Sequence, residues 1–261
     1  MRSFQNRDKV SIVPGRWNLS PSQWEAILLD ETAPGKIAAQ LTSDNWLPWV
    51  QTLVDLTGDS QSTLDLGSGR GENSAVLALH GKTTTLLDWS KANLDFSRAL
   101  FANLCLSGQF CRGDMTRGLP FRDSSFDTVF SCGVLEYFSR SVNDRILREA
   151  FRVAKRQVIV MIPNALSLSY RVGKWYMERA GKWIWGGEVP AYTLKRQFYS
   201  AGSMRTLEFS VGAKHALAFL TMPGGQVIER ACVKFLKLKD HPKPSLFRQG
   251  YLLITAGDKV L

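Results

Sequence analysis

Three glycines at alternate positions, Gly67, Gly69 and Gly71, lie within the segment Leu64-Asp65-Leu66-Gly67-Ser68-Gly69-Arg70-Gly71-Glu72. An apolar run precedes them and a helical pattern follows. Glycine at such a point permits a sharp strand-to-helix turn, lets a ligand approach the backbone, and leaves amide hydrogens of a helix start to meet it. Asp88, 17 residues beyond Gly71, ends the next apolar run. A carboxylate there can accept both hydrogen bonds of a ribose diol. A glycine turn by itself is also an ordinary structural turn, but two elements in register point to a nucleotide-like ligand. The dinucleotide pattern GxGxxG fits poorly, because the third glycine arrives one position early and Glu72-Asn73 follow it.

Elements must hold these residues in place, and the spacing of apolar positions predicts which. Strands are expected at Ser62–Leu66, Thr83–Asp88, Gln109–Gly113, Phe126–Ser131 and Gln157–Ile162, with helices around 71–80, 91–105 and 142–154. That alternation means an α/β fold, a doubly wound, mostly parallel sheet with helices on both faces. Ligands on such a sheet bind at the carboxyl ends of the strands, near the switch in strand order. Thr206–Val211 and Gly250–Thr255 read as two closing strands, which makes seven, after a helix around 193–201. The first sixty residues read as a helical cap: Ser20, Pro21 and Gln23 form a helix-start signal, and a second helix is expected to begin at Ser43 or Asp44 and run through Trp46, Trp49, Val50, Leu53 and Val54. Residues 61–261 are expected to form the main domain. Two insertions interrupt it: 163–190, an aromatic and basic helical lid, and 213–248, basic and partly amphipathic.

The ordered motifs resemble the class I S-adenosylmethionine-dependent methyltransferases. LDLGSGRG is similar to their first motif and LLDWS to the acidic end of their second strand; Arg112-Gly113-Asp114-Met115 is similar to the turn after the third. Phe126–Tyr137, ending Val134-Leu135-Glu136-Tyr137, resembles the fourth strand with its following turn. The resemblance implies a Rossmann-like fold and S-adenosylmethionine as cofactor. It further implies that Gly67, Gly69 and Gly71 pack under the methionine part, with Asp65 ordering the turn and the cofactor's amino group. Asp88 would hold the ribose hydroxyls, Trp89 would lie against the adenine, Asp114 and the Met115 amide would read the adenine edge, and Cys132 would border the cofactor. Each also has a plainer role: Asp65 as a turn cap, Trp89 as core, Cys132 as a small buried apolar residue.

Methyl transfer from a sulfonium is an in-line displacement with an activated leaving group, so alignment does most of the work. A base is needed only for an acceptor that holds its proton. Glu136 and Tyr137, in the turn nearest the expected methyl group, are the candidate catalytic residues. With a reference pKa of about 10, tyrosine is a poor base, so Tyr137 reads better as a wall or hydrogen-bond donor. His215 is a further candidate from the second insertion.

Charge is distributed unevenly: residues 1–150 carry 15 Lys/Arg against 17 Asp/Glu, and residues 151–261 carry 18 against 6. An anionic partner for the second part follows, or else merely a solvated basic surface. The expected acceptor is therefore an O or N atom of a small-molecule or lipid-like, anionic compound, with membrane-surface contact through residues 233–248 as an accessory. Interleaved aromatic and basic residues keep tRNA or rRNA as an alternative, and a cofactor-binding interaction protein without catalysis as another. Apolar content of 44% and charged content of 21% exclude a disordered or fibrous chain. Four cysteines without a CxxC pair, and no His/Cys/carboxylate cluster at metal-ligand spacing, predict reduced thiols and no metal. No apolar run approaches the roughly 18 residues that cross a bilayer and no leader is visible, so a cytoplasmic protein is expected.

Overall fold

Thr63, Leu64, Asp65 and Leu66 are all buried, as a strand with neighbours on both edges and helices on both faces must be. This strand, β1 (Ser62–Leu66), lies in a seven-stranded sheet with β2 (Thr83–Asp88), β3 (Gln109–Arg112), β4 (Phe126–Cys132), β5 (Ala154–Pro163), β6 (Arg205–Val211) and β7 (Leu252–Asp258). The order is β3-β2-β1-β4-β5-β7-β6. The pairs among β1 to β5 are parallel, and β7 runs antiparallel to both β5 and β6. Asp65 stands opposite Leu86 on one side and Phe130 on the other. The chain winds outward from β1 through β2 and β3, then restarts on the opposite side with β4, so the switch point falls between β1 and β4. The computed structural model describes residues 33–43, 46–235 and 248–259.

Six helices matter to the site: α1 (Pro34–Leu41), α2 (Pro48–Leu56), α3 (Glu72–Leu79), α4 (Lys91–Asn103), α5 (Arg140–Val153) and α6 (Leu168–Arg179). In α5, Ile146, Leu147, Ala150 and Phe151 recur at helical spacing and join Leu64, Leu66, Val129, Val158 and Val160 in one apolar layer. Across the sheet Ile37 and Ala38 of α1 pack with Ala75, Leu86, Leu94 and Phe101, while Leu53 of α2 packs with Leu77, Phe130 and Ile159. The first described helices thus contribute to the same core as the sheet.

The helix expected from Ser43 or Asp44 begins instead at Pro48. Proline disfavours helical backbone at the residue before it, here Leu47 with ψ 145°, and suits the first helical position because it has no N–H to satisfy. Trp46 is consequently outside the helix, and its indole Nε1 donates to the Leu41 carbonyl at 2.8 Å. The start expected at Ser20 to Gln23 and most of the 236–248 stretch lie outside the described residues. Of the lid, α6 is helical and the remainder to Pro190 is not. The second insertion holds α8 (Ala213–Ala218) and α9 (Gly225–Phe235), following α7 (Lys195–Ala201). The start of α7 is pinned by buried Glu208 on β6, whose Oε2 accepts from the Leu194 amide at 2.8 Å and from the Thr193 and Thr255 hydroxyls.

Candidate functional site

Asp88 is the point where the two sequence motifs meet. Its Oδ2 accepts from the Gly69 amide at 2.9 Å and its Oδ1 from the Ser90 amide at 2.8 Å. One buried carboxylate therefore joins the glycine turn to the start of α4. The turn itself needs glycine: Gly67 has φ +73°, and a Cβ there would stand 2.9 Å from a Val134 methyl.

The glycine turn, the ends of β2 and β4, and the turns that follow them enclose a cavity of about 590 Å³. That volume is within the ordinary range for a small-molecule or cofactor site. Gly67, Gly69, Gly71, Asp88, Trp89, Asp114, Met115 and Cys132 all line it, as does Tyr137. The apolar part of its lining is made by Leu47, Trp49, Val50, Val134, Phe138 and Trp185. A glycine cradle that side chains would fill, a buried carboxylate at its edge and an exposed indole, Trp89, fit an adenosine-bearing ligand.

Not every expected residue faces this space in the expected way. Asp65 lies behind the turn, where its Oδ2 accepts from the Ser74 hydroxyl at 2.8 Å. Burial pushes its carboxyl up to about 7, the Ser74 bond opposes that, and the Asp88 charge adds to it. With an unfolded-state value of 3.8, the raised folded value makes Asp65 neutral and undemanding below pH 4 and progressively costly as pH rises to about 7. Thermal melts of the wild type between pH 4 and 7 should therefore lose, relative to Asp65→Asn, on the order of a few kcal/mol; parallel curves would contradict this. Asp114 caps its own turn, its Oδ1 accepting from the Thr116 amide at 2.9 Å and hydroxyl at 2.7 Å. Cys132 is half-buried, and desolvation, with the Glu136 and Asp65 charges, pushes its thiol up to about 12, which leaves it protonated at neutral pH.

The two candidate catalytic residues part company. Tyr137 lines the cavity, and its hydroxyl donates to Glu188 Oε2 at 3.5 Å. Glu136 does not line it. Its side chain is buried, Oε2 has no hydrogen-bond partner, and burial followed by the Glu188 charge raises its carboxyl well above the usual range. The Glu136 carbonyl accepts from the Val189 amide at 3.0 Å, which ties the end of the lid to the turn after β4. Sequence reasoning misses Glu188: it is one of two acidic residues in a basic, aromatic segment, and no spacing singles it out. His215 is set back from the cavity, edge-on to Trp49 at 5.2 Å. Among the described residues no group of three His, Cys, Asp or Glu side chains is gathered as a metal site, and no helix is long and apolar enough to cross a membrane.

Comparison with known proteins agrees with this geometry. Residues 64–162 match the family model described as a methyltransferase domain. The bifunctional biotin-biosynthesis protein BioHC of Cellvibrio japonicus is 34% identical over 97 residues, 37% of this chain and 18% of its own. An uncharacterized methyltransferase of Bacillus subtilis, YbaJ, is 30% identical over 132 residues, 48% of this chain and 51% of its own. The chain thus spans about half or less of the length of these curated relatives. Magnesium protoporphyrin IX methyltransferase (ChlM) from Synechocystis, solved with bound S-adenosylhomocysteine, superimposes with a TM-score of 0.56 at 15% identity, covering 92% of this chain and 94% of that one. The likeness to that structure is one of fold, and S-adenosylmethionine is the cofactor that a methyltransferase domain indicates. Residues 64–162 thus match a methyltransferase domain, on a fold shared with solved methyltransferases.

Proposed function

We propose that the protein transfers a methyl group from S-adenosylmethionine to an O or N atom of a small-molecule or lipid-like acceptor. The observation that carries this reading is the continuity of one cavity from the glycine turn and Asp88 to the apolar wall of Leu47, Trp49, Val50, Phe138 and Trp185. A cofactor held at the first end leaves the second for an apolar or ring-bearing acceptor. Gly67, Gly69 and Gly71 would underlie the methionine part, Asp88 the ribose, and Trp89, Asp114 and Met115 the adenine. When bound, the cofactor supplies an activated methyl group. The protein's own contribution is alignment and exclusion of water, with Tyr137 and the residues behind it forming the wall nearest β4.

Arg70 is the basic side chain among the described lining residues, and it is paired with Glu72 at 2.6 Å. An anionic group on the acceptor therefore belongs outside the cavity. The lid offers exposed Arg171, Arg179 and Lys182 for it, in the segment that leads to the wall residue Trp185. The same surface favours RNA as a second reading, because Arg179 stacks on exposed Trp175 at 4.7 Å.

Methyl-labelled S-adenosylmethionine incubated with cell extract should deliver label to the soluble-metabolite or lipid fraction. Label concentrated in RNA, together with copurifying nucleic acid and a steep loss of binding with salt, would establish the second reading instead. Tight cofactor binding without label in any fraction would leave a binding protein without catalysis.

A further inference from the structure

Behind the cavity wall lies a buried polar group that alignment of a methyl donor does not require. Two carboxyls, Glu136 and Glu188, are 4% and 7% exposed, and three phenols, Tyr137, Tyr170 and Tyr251, are packed around them. Burying two acids side by side is costly unless one holds a proton and the other is well supplied with donors. The hydrogen bonds distinguish them. Glu188 receives the Tyr170 hydroxyl on Oε1 and the Tyr137 hydroxyl on Oε2, and the Lys174 ammonium acts on it electrostatically. Glu136 Oε2 receives none. Glu188 is thus equipped to carry the charge and Glu136 the proton. Of the two hydroxyls that serve Glu188, the Tyr137 hydroxyl belongs to a residue lining the cavity.

We propose that Glu188 is the proton-accepting residue of the methyl-transfer site, acting through the Tyr137 hydroxyl, and that the acceptor is accordingly a hydroxyl compound, an alcohol or a phenol, which must lose its proton. The proposal rests on the methyltransferase reading above. A phenol that donates its hydrogen to a carboxylate keeps acceptor capacity on its oxygen. As the acceptor oxygen forms its bond to the methyl carbon, the sulfur–methyl bond breaks and sulfur keeps the pair. The acceptor's proton goes to Tyr137 Oη while the Tyr137 proton goes to Glu188 Oε2. Charge balances, since one positive sulfonium and one carboxylate become a neutral thioether and a neutral acid. Tyr137 never has to exist as a phenolate, which removes the objection to tyrosine as a base. The 3.5 Å separation is long, as such contacts often are before substrate is bound. Lid and wall are held in step by the Val189 amide on the Glu136 carbonyl.

The charged and titratable groups facing Glu188 are Glu136 and Tyr137 from the turn after β4, Tyr170, Lys174 and Glu178 from α6, and Tyr251 before β7. Burial raises the Glu188 carboxyl, opposed by Tyr170, Lys174 and Tyr137. The ionised form is the working one, so turnover should fall as pH drops through its raised value.

Infrared difference spectroscopy of the full chain, carrying isotope-labelled glutamate and saturated with S-adenosylhomocysteine, tests the assignment without any acceptor. At pH 7 the carbonyl band of a protonated buried carboxyl should vanish in Glu136→Gln and persist in Glu188→Gln. Loss of that band in Glu188→Gln instead would overturn the proposal, because no proton sink would remain. In the label-transfer assay, Tyr137→Phe and Glu188→Gln should each slow transfer by about a hundredfold or more. S-adenosylhomocysteine affinity should change by less than about threefold, and the double variant should be no slower than the worse single one. The acidic limb of the rate profile should disappear in Glu188→Gln and stay in Tyr170→Phe, a change that separates proton transfer from simple packing. Full rate in Glu188→Gln with the cofactor bound would sink the relay and leave the methyltransferase standing, whereas wild type that fails to bind S-adenosylhomocysteine would sink both.

Discussion

Replacing Asp88 with alanine is expected to weaken binding of S-adenosylmethionine and S-adenosylhomocysteine by about a hundredfold or more, read by calorimetric titration. Two effects combine. A carboxylate lost from a ribose diol removes charge-assisted hydrogen bonds worth about 1.5–3 kcal/mol each when formed. The same carboxylate is also the acceptor for the Gly69 and Ser90 amides, so its removal slackens the glycine turn and the start of α4 together. Asp88→Asn should be intermediate, because one carboxamide oxygen can still accept while the NH₂ group confronts an amide donor. Asp114→Ala is the contrasting case. Its Oδ1 already takes the Thr116 amide and hydroxyl, so much of its removal is felt locally and the affinity loss should stay within about tenfold by the loss of one such bond. Affinity within about threefold of wild type in a folded Asp88→Ala protein would remove the ground for placing the ribose there.

Asp88 is legible in the sequence because strand and turn rules act over short distances. A run of buried residues, a glycine turn and a helical pattern repeat within about thirty positions, and a carboxylate at the end of the second run can reach only the neighbouring turn. For β1 and β2 the expected and observed limits coincide at Ser62–Leu66 and Thr83–Asp88. The apolar run at Gln157–Ile162 marks only part of β5, because Ala154, Lys155 and Arg156, outside that run, still belong to the strand. Ala154 pairs with Phe126 across a register shift that takes in Lys155 and Arg156, and the polarity of those two conceals it. The start of α2 departs from expectation for a related reason: the apolar stripe extends back to Trp46, but Pro48 fixes the backbone and overrides the stripe.

Contacts made across long separations are the part that cannot be read. Glu188 meets Tyr137 over 51 positions, and nothing in a basic, aromatic segment announces that one of its acids turns inward. The distribution of charge is silent about the cavity in the same way. The excess of Lys and Arg lies in the second part, whereas the lining of the cavity includes Arg70, already paired, together with Glu72, Asp88 and Asp114, all from the first. Net charge describes a surface and its long-range field; the identity of a wall depends on which side chains the fold turns inward.

The other large effect concerns folding. Gly71 precedes α3 with φ +77°, and a Cβ built there would stand 2.7 Å from Leu86 Cδ2 and 2.7 Å from Ser97 Oγ. Gly71→Ala must therefore absorb left-handed strain of about 1–2 kcal/mol and a crowded core contact of about 1–3 kcal/mol. At roughly 2–4 °C per kcal/mol for a domain of this size, a fall in melting temperature of about 4–20 °C is expected. Gly81 has the same φ of +77°, and a Cβ there would meet nothing within 4 Å, so Gly81→Ala carries the strain alone, about 1–2 kcal/mol, and should fall by only about 2–8 °C. The pair separates conformation from crowding, and equal shifts would show that crowding at Gly71 is relieved without cost. The site should register the difference too. Ser97 donates to the Gly69 carbonyl at 3.1 Å, so a methyl group that displaces Ser97 loosens the same turn that Asp88 holds from the other side. Cofactor affinity should consequently fall in Gly71→Ala and remain unchanged in Gly81→Ala.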